Sequence, residues 1–163
     1  MVYLGKTIPG YYYGGSVDLR WRDIDFSAQL TGVGDVVKYN TVRAALENTA
    51  EVGQNVSPAV RDAWSPDNPT ATVPRIMAGD PAGNFRVSDY FVERAGYLRL
   101  AHVQIGYTLP QAVYRRLHGA VSHLRFYAGA SNLFTITQYT GLDPESDAYP
   151  TPQTFFLGVN ARF

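Results

Sequence analysis

Cysteine is absent from the 163-residue chain, and lysine occurs only at Lys6 and Lys38. Without cysteine the chain holds neither a disulfide framework nor a thiolate metal site. Its 14 basic and 14 acidic residues balance, so no electrostatic argument favours a nucleic-acid partner. No run of about 18 apolar residues occurs, which excludes a membrane-spanning helix.

The first residues also lack the marks of an export signal. Residues 1–13 show no charged head, apolar centre or small-residue cleavage site. The chain by itself is therefore predicted to carry no export address.

Aromatic residues, by contrast, reach 13% and include 12 tyrosines, while 15 glycines and 10 prolines punctuate the chain. This composition favours many short strands with turns over long helices. Apolar residues alternate with polar or small ones in five segments, which is the pattern of half-buried strands. The predicted strands cover about residues 16–22, 24–33, 97–108, 122–134 and 154–163. The sequence thus predicts an all-β fold of antiparallel, amphipathic strands.

The last predicted strand shows the pattern most clearly. From Phe155 to Phe163 every second residue is apolar, and the last of them is aromatic. Strict alternation over about ten residues predicts a strand with one apolar face. Such a strand, finishing on an aromatic residue, is typical of the closing strand of an outer-membrane β-barrel.

The connections between the predicted strands alternate in length. Residues 22–23 and 109–121 form the shorter ones, whereas 34–96 and 135–153 form long ones. Transmembrane barrels have strands of about 9–11 residues, short periplasmic turns and longer extracellular loops. The alternation therefore predicts a barrel segment whose long connections face outward.

The long loop, residues 34–96, is predicted to contain one short helix. That helix would run over about residues 41–51 with Thr41 as its N-cap, and a proline-rich loop would follow it. A connection of this length is either functional or disordered. Trp64 and Tyr90 lie in or beside it, so they are candidate contacts to a partner or a glycan. The alternative is that both are ordinary loop residues.

Several strings of residues occur in a defined order along the chain. They include Ala130-Ser131-Asn132-Leu133-Phe134 and Tyr149-Pro150-Thr151-Pro152. The complete set lies at residues 84–89, 97–100, 106–110, 130–135, 139–145 and 149–152. Together, and over nearly the whole chain, these strings resemble the C-terminal end of SusC/RagA-type TonB-dependent outer-membrane transporters.

The resemblance implies a barrel of about 22 strands around an internal plug, of which this chain supplies roughly the last five. Such transporters sit in the outer membrane and import glycans or peptides with energy from the TonB complex. A SusD-like lipoprotein caps the extracellular mouth, and the TonB complex acts through the plug and the N-terminal region. The chain shows no plug, TonB-contacting segment or earlier strands, so we interpret it as a fragment or truncated reading frame that is not transport-competent alone.

The same resemblance implies a signal for the barrel-assembly machinery in the last strand. Gly158, Ala161 and Phe163 stand at the matching positions. Phe156 departs from the usual pattern, which has a polar residue there, and Ala161 is small for its position. Outer-membrane lipid is a further implied partner of this strand.

No constellation of residues suggests an enzyme, a cofactor or a metal centre. His102, His118 and His123 have no cysteine or nearby carboxylate that completes a ligand set. Asp143, Glu145 and Asp147 alternate in one loop. Such a loop either forms a turn at Asp143-Pro144, which we favour, or holds calcium through its oxygens.

The alternative function is a soluble, secreted β-rich module that binds glycans. It requires the apolar faces of all five predicted strands to meet in one core, which leaves no lipid-facing band. The tyrosine content is compatible with it. The alternation of loop lengths and the aromatic last residue are then unexplained.

Overall fold

A computed structural model describes residues 3–50, 53–116 and 121–163. His118 lies outside these ranges. The chain divides into two compact units. The sheet unit comprises residues 9–35, 96–137 and 151–163, and the loop unit comprises residues 1–8, 36–95 and 138–150.

The described residues form seven strands and two α-helices. The strands are β1 (Tyr11–Trp21), β2 (Ile24–Gly34), β3 (Val37–Tyr39), β4 (Val92–Arg94), β5 (Tyr97–Thr108), β6 (His123–Thr137) and β7 (Thr154–Arg162). The helices are α1 (Thr41–Glu47) and α2 (Gln111–Arg116). Within the described ranges, neither helix is long and apolar enough to cross a bilayer.

The sheet unit is one five-stranded antiparallel sheet with the order β1-β2-β5-β6-β7. Strands that are consecutive within this unit are neighbours in the sheet, as in an up-and-down barrel. The predicted all-β class with five antiparallel amphipathic strands is therefore confirmed. The sheet is open, with β1 and β7 at its edges.

The strand boundaries differ from prediction at two places. Strand β1 begins at Tyr11 rather than near residue 16, because pairing with β2 continues to Tyr11 opposite Gly34. In the sequence, Gly14 and Gly15 interrupt the alternation of apolar and polar residues over this part of β1. Strand β6 continues to Thr137, beyond the predicted end at residue 134.

A bulge at Ala101 of β5 changes which residues of that strand share a face. Ala101 has no partner in either pairing of β5, so Leu100 and His102 lie on opposite faces although they are two residues apart. A matching irregularity occurs in β6, where Asn132 has a positive φ of 54°. Such bulges shift the phase of a strand by one residue. As a result, Leu100 and Val103 share the apolar face.

The predicted long loop of residues 34–96 contains regular structure. Strands β3 and β4 pair with each other, and 3₁₀ turns lie at Pro58–Asp62 and Asp89–Phe91. Phe91 is fully buried in this unit. The loop is therefore ordered around a small core of its own.

Helix α1 is shorter than predicted, and its predicted N-cap is wrong. The side chain of Asn40, not that of Thr41, accepts a hydrogen bond from the backbone N–H of Arg43 at 2.9 Å. An asparagine oxygen three residues before that N–H satisfies a donor that the helix leaves free. Asn40 is fully buried, and its amide also donates to Thr140 Oγ1 at 3.0 Å.

Candidate functional site: a sheet with two unlike faces

One face of the sheet unit, here called the apolar face, carries apolar side chains from all five strands. The antiparallel register brings them into rows across the sheet. Three of these rows are Trp21–Ile24–Tyr107–Phe126–Val159, Leu19–Phe26–Ile105–Ala128–Leu157 and Val17–Ala28–Val103–Ala130–Phe155. Within these rows the two-residue strand period is unbroken, so the five strands present one continuous apolar surface.

Large side chains on this face are exposed. Trp21 is 67% exposed, Leu19 60% and Leu157 87%. In a β-sandwich such inward-facing residues interdigitate with a second sheet and are buried. A contiguous exposed apolar surface of this kind marks contact with a membrane or another protein.

Aromatic residues lie near both ends of the apolar face. Trp21 belongs to the row beside the β1–β2 turn, and Tyr11 and Tyr13 stand at the far end of β1. Ten residues separate Trp21 from Tyr11 in sequence, which corresponds to about 33 Å along a strand. At a tilt of about 40° that length becomes roughly 25 Å, the height of the apolar band of an outer-membrane barrel. The Tyr13 hydroxyl donates to the Tyr97 carbonyl at 2.8 Å, as an interfacial tyrosine with a polar tip does.

The opposite face, here called the polar face, carries an ion pair that crosses a strand. Arg125 of β6 donates from Nε to Asp25 Oδ1 of β2 at 2.9 Å, and from Nη2 to Asp25 Oδ2. Gly106 of β5 lies between them, and a Cβ there would meet side-chain atoms of both. The polar face also includes Arg20, Asp18, Ser27, Gln29, His102, Gln104, Ser131 and Thr154.

Phe156, the residue that departs from the expected assembly pattern, fills a space on the polar face. Its ring lies over Gly129, where a Cβ would collide with it. His102 stacks on the same ring, with centroids 5.7 Å apart and planes at 17°. Tyr127 covers Gly158 in the same manner. Each aromatic ring fills the space that a side chain at the facing glycine would occupy. Because the ring and the glycine lie on neighbouring strands, the spacing of residues within one strand does not reveal this packing.

The three residues of the predicted assembly signal occupy different environments. Gly158 lies beneath the ring of Tyr127, and Ala161 pairs with Leu124. Phe163 follows the end of β7 and is 89% exposed. The structure therefore gives Gly158 a packing role and leaves the signal itself a prediction.

In the loop unit, Arg43 is the centre of a polar network. Its Nε donates to Glu47 at 2.7 Å, its Nη1 approaches Glu93 at 3.3 Å, and its guanidinium lies 4.4 Å from the ring centre of Tyr90. Burial alone would lower the pKa of Arg43, but the hydrogen bond and charge of Glu47 outweigh it and raise the pKa. Arg43 is therefore a permanent cation that holds helix α1 against Tyr90 and Glu93.

Tyr90, a predicted contact for a partner or glycan, belongs to this network. Its hydroxyl donates to Glu47 Oε2 at 2.7 Å. Burial raises the pKa of Tyr90, and the hydrogen bond to Glu47 raises it further. Trp64 is placed differently: it is 37% exposed, and the Arg75 guanidinium lies 5.8 Å from its ring centre.

Glu93 joins the two segments of chain that make up most of the loop unit. It accepts hydrogen bonds from the backbone N–H and the hydroxyl of Thr140, each at 2.9 Å. Burial alone would raise the pKa of Glu93, but the hydrogen bonds from Thr140, Asn40 and Arg43 together lower it. The charged carboxylate is therefore the form that the fold stabilises.

Lys38 occupies the centre of the acidic loop for which calcium was the alternative. Its ammonium lies 3.2 Å from the Pro144 carbonyl and 3.0 Å from Asp147 Oδ1. Asp143 Oδ1 accepts from the Glu145 backbone N–H at 2.8 Å, which closes the turn expected at Asp143-Pro144. The Lys38 ammonium thus occupies the position at these oxygens that a calcium ion would need. Within the described ranges, no three His, Cys, Asp or Glu side chains are grouped to hold a metal ion.

A two-faced antiparallel sheet with alternating apolar and polar positions is the architecture of a barrel-wall segment. No family model matches the chain. It is similar to TonB-dependent receptor P3 of Formosa agariphila, with 26% identity over 98% of the chain and 17% of that protein. TonB-dependent receptor P26 of the same organism is 27% identical over 99% of the chain and 18% of its own length. TonB-dependent receptor SusC of Bacteroides thetaiotaomicron is 35% identical over 47% of the chain and 8% of its own length.

Solved structures agree with these relatives. The RagAB peptide importer in its open-open state superposes with a TM-score of 0.83 at 26% identity, over 96% of this chain and 17% of that one. Its closed-closed state gives a TM-score of 0.81 at 25% identity, over 94% of this chain and 17% of that one. The resemblance to SusC/RagA-type TonB-dependent receptors is confirmed, and the fold matches a segment of their barrel, which the described residues do not close. The chain spans less than one fifth of the length of P3 and P26.

Proposed function

We propose that this chain forms part of the wall of an outer-membrane β-barrel that works in TonB-dependent import. The observation that carries the proposal is the apolar face, which is continuous over five strands and exposed in its large residues. Aromatic residues near both of its ends match the two girdles at membrane interfaces. In this arrangement the apolar face contacts lipid and the polar face lines the barrel interior.

The connections then take defined sides of the membrane. The tight turn after Trp21 faces the periplasm, and the long connections over residues 34–96 and 135–153 face outward, because outer-membrane barrels have short periplasmic turns and long extracellular loops. A SusD-like lipoprotein at the extracellular side is the proposed partner. Trp64, an exposed aromatic residue of the loop unit, remains the better candidate contact, since the hydroxyl of Tyr90 is already bound by Glu47.

We propose glycans or peptides as the cargo. RagAB, one of the similar structures, is described as a peptide importer. In the proposed transporter the TonB complex acts through a plug and an N-terminal region, and we assign none of the described residues to that contact. Gly158, Ala161 and Phe163 are the proposed signal for the barrel-assembly machinery.

The relatives are described as receptors and importers, which agrees with the prediction that the chain is not an enzyme. The soluble glycan-binding module, our alternative, requires a buried apolar face. The exposure of Leu157 at 87% and of Trp21 at 67% argues against it.

A pair of neighbouring substitutions tests the proposed membrane face. Ile105 and Gln104 are consecutive in β5 but lie on the apolar and polar faces. A lysine in the middle of the lipid-facing band costs about 2–4 kcal/mol, whereas one on the interior face is tolerated. We expect Ile105→Lys to abolish the folded, heat-modifiable band on a semi-native gel of outer membranes and Gln104→Lys to keep it.

Equal assembly of both variants would contradict the assignment of faces. Recovery of the unaltered protein from the aqueous phase without detergent would contradict the membrane location itself and would favour the glycan-binding module.

A further inference from the structure

Two neighbouring pairs of residues join β6 and β7 on the polar face in opposite senses. Tyr127 of β6 stands opposite Gly158 of β7, and a Cβ at Gly158 would collide with the tyrosine ring. Phe156 of β7 stands opposite Gly129 of β6, and a Cβ at Gly129 would collide with the phenylalanine ring. The two ring centres lie 6.3 Å apart, with planes at 59°. Each strand thus places one ring over a glycine of the other, and these four residues are here called the ring–glycine interlock.

The alternation of residues leaves the register of β7 against β6 partly open. A shift by one residue would turn the apolar side chains of β7 to the polar face, but a shift by two keeps every side chain on its own face. The connection over residues 138–153 is too long to fix the register as a tight turn does. Strand β6 also continues from Ser131, the last residue paired with β7, to Thr137. Backbone partners therefore remain available for a two-residue shift in that direction.

The ring–glycine interlock distinguishes this shifted register from the observed one. After the shift the two glycines would stand opposite each other, Tyr127 would face Asn160, and Phe156 would face Ser131. Neither ring would then cover a glycine, so both cross-strand contacts would be lost together. A two-residue shift in the other direction would set the two rings against each other.

The opposite edge of the sheet unit shows a different arrangement. There both rings, Tyr11 and Tyr13, belong to β1, and they cover Gly34 and Gly32 of β2. A two-residue shift of such a pair would keep one ring over one glycine. The tight turn between β1 and β2 fixes that register by itself. The reciprocal arrangement thus occurs where the connection is long.

We infer that the ring–glycine interlock sets the register of β7 against β6. The inference goes beyond the proposed function, because it concerns how the last strand is positioned and not what the sheet contacts. It gives Phe156, which departs from the expected assembly pattern, a positioning role. It also makes Gly158 the partner of Tyr127, independent of any contact with the assembly machinery.

Paired cysteines report the register without background, since the chain has no cysteine of its own. Leu157→Cys with Ala128→Cys marks the observed register, because these residues stand opposite each other. Leu157→Cys with Ala130→Cys marks the shifted register. A disulfide needs Cα atoms within about 7 Å, which opposite residues satisfy and diagonal ones, about 7–8 Å apart, do not. After oxidation in outer membranes that contain the whole protein, cleavage at Glu145 leaves two peptides joined only where the disulfide has formed.

With the interlock intact, only the cysteine pair at 128 and 157 should cross-link. Removing both rings with Tyr127→Ala and Phe156→Ala should lower that product and produce the cross-link between 130 and 157. Mass spectrometry of the joined peptides measures both products.

Phe126→Ala with Phe155→Ala is the matched control, because it removes two rings from the same strands on the apolar face. Gln153→Ala removes an exposed hydrogen bond to the Leu133 carbonyl. Both should keep the observed register alone. The inference is overturned if the shifted cross-link forms equally in both ring-deletion variants or in neither of them.

An exchange of ring and glycine tests the inference even if the ring-deletion variant does not assemble. Gly158→Tyr alone sets two tyrosine rings opposite each other and should abolish the folded, heat-modifiable band. Adding Tyr127→Gly moves the ring to the other strand and should restore the band. Failure to restore it overturns the inference and favours Gly158 as a direct contact of the assembly machinery. Extraction of the unaltered protein without detergent overturns the proposed function but not the interlock, because the disulfides report only strand register.

Discussion

Asp25 of β2 and Arg125 of β6 form a two-pronged ion pair although strand β5 runs between them. Arg125 Nε donates to Asp25 Oδ1 at 2.9 Å, and Arg125 Nη2 donates to Asp25 Oδ2. The pair crosses above Gly106, whose missing side chain leaves the space that both partners occupy. On the polar face the ion pair thus links β2 to β6 across β5, at Gly106, where β5 has no side chain.

Replacing Gly106 with alanine should break this pair. The added Cβ would meet Arg125 Nη2 and the Asp25 carboxylate, so one partner must move away. Both side chains are partly exposed, which limits the loss to about 1–2 kcal/mol. We expect a lower midpoint temperature for loss of the heat-modifiable folded form on a semi-native gel.

Gly15→Ala is the matched control. An added Cβ at Gly15 meets nothing within 4 Å, and alanine is less costly than glycine in a strand. The midpoint should stay the same or rise slightly. If Gly106→Ala behaved like Gly15→Ala, the ion pair would not contribute to stability.

The hydrogen bonds of Glu93 predict acid sensitivity in the loop unit. The pKa of Glu93 is lowered from its ordinary value of 4.5, so its charged form is bound more strongly in the folded chain. This stabilisation is complete above about pH 5 and is lost as the pH falls through the lowered pKa. Hydrogen exchange of the Thr140 amide, which donates to Glu93 at 2.9 Å, should accelerate over that range relative to its intrinsic rate.

Glu93→Gln should show fast exchange at Thr140 at neutral pH and little further dependence on acid. The Val37 amide is an internal reference, because it donates to the Lys6 carbonyl at 2.8 Å and not to a carboxylate. Acceleration of both amides in parallel would indicate general unfolding and contradict a local role for Glu93.

Tyr90 and Trp64, which the sequence presented as equivalent candidates, should respond differently to substitution. Tyr90→Phe removes the donor to Glu47, a carboxylate that is only 4% exposed. Loss of a hydrogen bond to a buried charged group costs about 1–3 kcal/mol. We expect Tyr90→Phe to increase proteolysis of the loop unit in the purified protein.

Trp64→Ala should change proteolysis little, since Trp64 is 37% exposed, but it should weaken retention of the proposed SusD-like partner in pull-down from outer membranes. Unchanged proteolysis together with weaker retention in Tyr90→Phe would reverse these assignments.

Much of the sheet unit could be predicted from local pattern. Alternation placed β2, β5 and β7 within a residue of their observed limits, because a two-residue period needs no tertiary information. The first half of β1 escaped prediction, since Gly14 and Gly15 break the alternation and only pairing with β2 reveals the strand. The N-cap of α1 was placed one residue late, because a buried asparagine and a threonine are both good caps by residue type.

The side-chain partnerships could not be predicted. Lys38 and Asp147 are far apart in sequence, and their ion pair at 3.0 Å depends on how two loops meet. The stacking of His102 on Phe156 depends on the register of three strands. Neither pair has a signature in spacing, because register and loop packing are set by contacts across the whole unit.

By itself the sequence determined that the five strands of the sheet unit are amphipathic and, away from the bulge at Ala101, which residues of each share a face. These properties follow from the two-residue period of a strand. The tertiary structure alone decided that the five apolar faces form one exposed surface and that Gly106 admits an ion pair on the other side. Those features depend on which residues stand side by side on neighbouring strands. Hydrogen bonds between strands set that arrangement, and no single strand encodes it.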